Sequence, residues 1–238
     1  MAEPSEAGRQ ALARWEGFPV DREPRPVVLT EFSAPEHDAI SRDPRWQAVF
    51  DGPAVPESEL PPELRSAAAD FCRDVHTGEQ RPLARIVRGD GPFATDRGIQ
   101  ELPAWMMFPG DRRWPFVALD PGFRRRHTWW PEGLRLAYHG RQSTLAADGR
   151  TLTYRFIGTP AGYAKIPRAD VFETGTAVLV RPVVVKRDSR GRMWTDHLET
   201  REVVVRLDAP LGNRVLVWQA HGAGRDTCGT PCAVVTES

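Results

Sequence analysis

Near residue 82 the spacing of apolar side chains changes from three-and-four to two. Before that point Leu64, Ala67, Ala68, Phe71 and Val75 recur at helical intervals, which predicts a helix over residues 62–76. After it, alternation predicts strands at 83–88, 99–108, 115–119, 134–139, 142–147, 151–157, 175–186, 200–207 and 214–219. Asp148-Gly149 falls between two of these segments, and a two-residue hairpin turn needs the positive φ that glycine adopts readily. In 200–207, Arg201, Val203, Val205 and Leu207 alternate with Glu202, Val204 and Arg206, so one face is apolar from Val203 onward. Pro182 lacks an amide donor and predicts an edge position or a break within 175–186. Short strands joined by Gly and Pro turns predict a mainly β fold over residues 81–238, an antiparallel sandwich or barrel that ends in a cysteine-bearing tail.

Residues 1–80 read differently, as an acidic, proline-rich, partly helical segment. Ser5 predicts a cap for a helix over 5–17, with Ala11, Leu12 and Trp15 on one face. Residues 27–32, VVLTEF, read as a strand. Asp43-Pro44 predicts a second helix start, with Trp46, Val49 and Phe50 packing inward. This segment holds 16 acidic and 8 basic side chains, whereas residues 81–238 hold 16 and 24. The opposite balances predict that the acidic segment docks on the basic one.

The formal net charge is zero, and a nucleic-acid binder ordinarily carries a basic excess, so nucleic acid is not an expected partner. No apolar stretch approaches the roughly 18 residues of a membrane span. Residues 1–17 lack a basic start followed by an apolar run, which makes the cytoplasm the expected compartment, or the exterior if a signal peptide has been removed.

Two segments carry candidate chemistry. In 123–133, FRRRHTWWPEG, arginines adjoin aromatics, so Arg124, Arg125, Arg126, His127, Trp129 and Trp130 are candidate contacts for a small anionic or glycan ligand. The competing reading puts one tryptophan in the core and leaves the arginines solvated. The tail segment HGAGRDTCGTPC, residues 221–232, holds His221, Cys228 and Cys232. Cys72 and His76 stand four apart on the expected helix, so Cys72, His76, Cys228 and Cys232 have the donor types of a zinc site, with His221 able to replace His76. Alternatively Cys228 and Cys232 form a disulfide across the Gly229-Thr230-Pro231 turn, or remain two thiols in a tail loop. The HGAG stretch has the composition of an oxyanion loop, but no G-x-S-x-G elbow accompanies it. No dinucleotide, Walker or H-E-x-x-H motif occurs, and no cofactor other than zinc is implied.

The segments TDRGIQELPAW (95–105), LTYRFIG (152–158), ETGTAVLV (173–180) and TREVVVRLDAPLGNRVLV (200–217) resemble a pattern in uncharacterised actinobacterial secreted or lipoprotein-type β proteins. The resemblance spans about residues 95–217 and implies a fold and a lineage, without an activity. The expected function is therefore a non-enzymatic binding or interaction protein, with a protein or a small anionic or glycan ligand as partner. The rival is an enzyme, redox or metal protein built on the Cys/His tail.

Overall fold

A computed structural model describes residues 3–30, 44–73, 77–110, 115–134, 142–186, 199–218 and 231–236. The chain forms two compact units: Met1–Thr30 with Asp96–Gly98 and Trp129–Ser238, and Glu31–Thr95 with Ile99–Thr128. The fold is mainly β, as the period-two alternation predicts, and no closed barrel is formed among the described residues.

The larger unit is built on two sheets. The first has the order β10-β4-β5-β8, from Ala233–Thr236, Gln142–Leu145, Thr151–Gly158 and Glu199–Arg206. The second has the order β6-β7-β9, from Ala164–Glu173, Ala177–Lys186 and Val215–Trp218. Pairing is mostly antiparallel, but β10 with β4 and β7 with β9 run parallel, so both sheets are mixed. Leu145, Leu152, Tyr154, Phe156, Val205 and Val234 of the first sheet meet Val178, Val180 and Leu216 of the second, which makes a sandwich. The opposite face of the second sheet packs Phe172, Leu179, Val215 and Val217 against Ala11, Leu12, Trp15 and Phe18. Ala11 and Leu12 belong to α1 (Glu6–Ala13), whose first turn is capped by the Ser5 hydroxyl accepting from the Gly8 amide.

A sheet covered on both faces cannot alternate between apolar and polar residues. This is why Ala177 to Val180 and Val215 to Val217 form unbroken apolar runs, each residue fully buried. β8, with one face outward, does alternate: Val203 and Val205 turn in, while Glu202, Val204 and Arg206 turn out. Pro182 pairs with Ala169 of β6, but β9 flanks β7 only from Ala177 to Val180. Among the described residues, the missing amide therefore falls beyond the pairing of β7 with β9. The Asp148-Gly149 turn joins β4 to β5 with Gly149 at φ 66°. Asp148 accepts from the Arg150 and Thr151 amides and the Thr151 hydroxyl, which holds its pKa down at about 2.

The smaller unit contains the sheet β1-β2-β3, from Leu83–Thr95, Gly98–Pro109 and Phe116–Leu119. Ile86, Trp105, Met107 and Ala118 pack with Leu60, and with Ala68 of α3 (Pro62–Cys72). α2 (Pro44–Phe50) sets the Phe50 ring edge-on to Phe108. α4 (Pro121–His127) is capped by Asp120, which accepts from the Phe123 amide and from the Trp105 indole.

Several expected elements differ. The segment 27–32 is no strand over its described part: Val27 and Leu29 make isolated bridges. The α3 helix ends at Cys72, and residues 74–76 lie outside the described residues, as does nearly all of the expected strand 134–139. Among the described residues, β6, β10 and α4 have no counterpart among the expected elements. β6 is broken as a pattern by Lys165, Pro167, Arg168 and Asp170; β10 is short; α4 is short, with three arginines in a row.

Two-sided burial has a measurable consequence. Leu179→Ala should lower the unfolding free energy by about 2–5 kcal/mol, whereas Val204→Ala, at a position 65% exposed, should stay within about 0.5 kcal/mol of the parent. Urea unfolding of the two variants checks this, and equal losses would contradict the layer assignment.

Candidate binding site

Among the described residues, β6 and β8 are edge strands of facing sheets. Between them lies a cleft of about 530 Å³, within the roughly 300–1,000 Å³ typical of ligand sites. Arg168, Glu202 and Arg206 line it together with strand backbone, so its accessible surface is mostly polar; Ile166, Ala169, Val171, Val203 and Val205 border it but pack against the sandwich core. Arg168 and Arg206 are 68% and 71% exposed; their nearest carboxylates, Asp170 and Asp148, stand 3.4 and 3.6 Å away. Glu202 is taken up by Arg155, directly opposite on β5, at 2.6 Å.

Arginines tie the two walls together at both ends. At one end the Arg201 guanidinium donates to the carbonyls of Thr159 (2.7 Å) and Ala164 (3.4 Å), which joins the start of β8 to the start of β6. At the other, Glu173 closes β6 and accepts from the amides of Asp208 (2.6 Å) and Ala209 (3.4 Å), just past β8. Arg214 donates to Glu173 at 2.7 Å and to the carbonyls of Thr174, Ala209, Pro210 and Leu211. Burial pushes the Glu173 carboxyl up, but hydrogen bonds from Arg214 and the Asp208 amide, with the Arg214 charge, outweigh it and hold the pKa below its usual value.

The two walls are unlike. β6 carries Pro167 and a register shift between Lys165 and Arg168, both of which blunt an edge for further pairing. β8 pairs with β5 without interruption over all eight of its residues. In the smaller unit a second cleft, of about 450 Å³, lies between α2 and β1–β2, with Trp46, Val49 and Gly52 on one side and Val87, Asp90 and Glu101 on the other.

The sequence-predicted candidates fall elsewhere. Arg124, Arg125 and Arg126 are exposed on α4 of the smaller unit, with Arg125 paired to Glu63 at 2.9 Å and His127 stacked on Phe123 at 4.7 Å. Trp129 and Trp130 belong to the larger unit, where both are half-buried. Trp129 lies 5.3 Å from the Trp15 ring and 5.4 Å from Phe18, and Trp130 packs edge-on to Trp15 while its indole donates to the Leu134 carbonyl. Those aromatic faces are engaged in packing. Cys72 and Cys232 are buried, one in each unit; His76, Cys228 and His221 lie outside the described residues. Among the described residues no group of three His, Cys, Asp or Glu side chains is placed to hold a metal, and no disulfide forms. No described helix is long and apolar enough to cross a membrane.

The β8 wall was readable from its alternation. The β6 wall was not, because an edge strand rich in charge with a proline inside it has the composition of a loop. Comparison of the chain with protein-family models, with curated proteins and with solved structures finds no match.

Glu173→Gln should cost about 3 kcal/mol at neutral pH, because it leaves the nearly buried Arg214 cation without its counter-charge. A carboxyl whose folded pKa lies below its unfolded value of about 4.5 stabilises the fold above that value, and the contribution is lost as pH falls through the folded pKa. The stability gap between parent and variant should therefore close on acidification below 4.5. Urea titrations at neutral and acid pH test this; a gap independent of pH would sink the assignment.

Proposed function

We propose that the chain is a non-enzymatic binding protein whose ligand site is the cleft between β6 and β8. The observation that carries this reading is a concavity with a mostly polar lining, two exposed guanidiniums at its rim and arginine ties at both ends. Glu202 already has a cationic partner in Arg155. Arg168 and Arg206 therefore leave the rim favourable to a negative group, and guanidinium is the side chain best shaped to take a planar or tetrahedral anion. The ligand class that fits is a small molecule bearing a carboxylate, sulfonate or phosphate. The ties lower the ordering cost of binding, because the walls are held in place before a ligand arrives.

Anilinonaphthalene sulfonate, an aromatic body with one sulfonate, is a suitable probe. Its fluorescence should rise saturably with folded protein. Arg168→Glu should weaken binding about tenfold, equivalent to about 1.4 kcal/mol, and Arg168→Lys should weaken it less. Near-UV circular dichroism verifies that each variant keeps its packing. A probe response indifferent to the charge at residue 168 would refute the site.

A further inference from the structure

The β8 edge has a property that the ligand reading does not use: its side-chain order is self-complementary about Val204. We propose that β8 is a homodimerisation edge, on which β8 of a second copy pairs antiparallel across a two-fold axis through Val204. The proposal rests on the preceding reading only in taking the β8 side of the cleft as open.

Among the described residues β8 has one neighbour, β5, and pairs with it from Glu199 to Arg206. It carries no proline and no register shift. Val204 is 65% exposed, among the most exposed large apolar side chains described. An isologous interface demands that one patch be complementary to itself. In an antiparallel pair, opposed residues share a face of the sheet, so a two-fold axis normal to the sheet must pass through a residue. Centring it on Glu202 opposes two carboxylates. Centring it on Val203 sets Glu202 against Val204, and centring it on Val205 sets Glu202 against Asp208. Centring it on Val204 places Glu202 opposite Arg206 twice, Val204 opposite Val204, and Val203 opposite Val205. Of these four registers, the last alone gives two opposite-charge pairs and an apolar centre on the exposed face.

The surrounding rows continue that order. β5 already sets Arg155 beside Glu202, Leu152 beside Val205 and Tyr154 beside Val203. On the exposed face, addition of a second copy extends Arg155–Glu202 to the Arg206 of that copy, so charge signs alternate across the strands. On the inner face, Leu152 and Val205 meet Val203 and Tyr154 of the second copy, and the apolar layer runs on without a polar step. The result is an eight-stranded sheet in which β8 is no longer an edge. β6, with its proline and its register shift, takes no part in the pairing. One pair of short strands buries little area, so the association is weak and shows at high protein concentration.

Sedimentation equilibrium over a range of protein concentrations, without ligand, tests the pairing. The parent is expected to move from monomer toward dimer mass as concentration rises. Glu202→Arg and Arg206→Glu should each abolish that shift by opposing like charges twice. The double variant carrying Glu202→Arg and Arg206→Glu should restore it, because the charge order is inverted but still self-complementary. Val204→Lys, which opposes two ammonium groups on the axis, should abolish it. All three substituted positions are exposed, and thermal melting confirms that each variant folds. A parent that stays monomeric at every concentration overturns the proposal, as does a dimer that the single charge reversals leave intact. The sulfonate probe keeps the two readings apart. A monomer that still binds the probe gives the cleft to a small ligand alone, whereas a β8 dimer indifferent to the charge at residue 168 retains the pairing and discards the ligand site.

Discussion

The larger unit depends on the stretch of sheet where β7 meets β9, which has no solvent face. Ala177–Val180 and Val215–Val217 are fully buried because one side of β7 and β9 meets the sandwich partner and the other meets α1 with Trp15 and Phe18. Neither cover is optional. Removal of the helix layer would expose Leu179, Val215 and Val217 together; removal of the first sheet would expose Val178, Val180 and Leu216. The parallel pairing of β7 with β9 belongs to the same constraint, since parallel pairs are at home where both faces are covered.

With the centre so occupied, polar chemistry is displaced to the ends and edges of the strands, where arginine carries it. All cations but Lys165 and Lys186 are arginines. Arg214 and Arg201 show the physical use: a planar fork with five donors can satisfy several backbone carbonyls at once, which an ammonium on a flexible stem does less well. Arg214 gathers the carbonyls of the turn after β8 while neutralising Glu173 at the end of β6. The cleft between the two strands is thus a by-product of how the turns are tied, and its rim guanidiniums are those not drawn into such ties at short range.

Legibility followed the same division. β5 and β8 were readable because one face is wet and one dry, so Val203 and Val205 alternate with Glu202, Val204 and Arg206. The hairpin at Asp148-Gly149 was readable because a tight turn imposes a local backbone demand that few residues meet. β7 was readable as a long β-branched run. β6 was invisible, since its pairing amides and carbonyls lie in the backbone while its side chains face solvent, a cleft and a bulge. The candidate arginines and tryptophans of 124–130 illustrate the opposite failure. They are contiguous in the chain, yet Arg124–Arg126 lie on α4 of one unit and Trp129 and Trp130 pack into the aromatic cluster of the other.

Taken alone, the sequence determined the class of fold, the position of the tight turn and the inward and outward faces of the strands with one wet side. These are consequences of local backbone sterics and of side-chain period, and both act within a few residues of chain. Tertiary structure decided which strands became neighbours and which of them ran parallel. It also decided that Glu173, Arg201 and Arg214 would close a cleft between β6 and β8. Those outcomes depend on carbonyls, amides and charges 35 to 42 positions apart in the chain, and no local pattern records them.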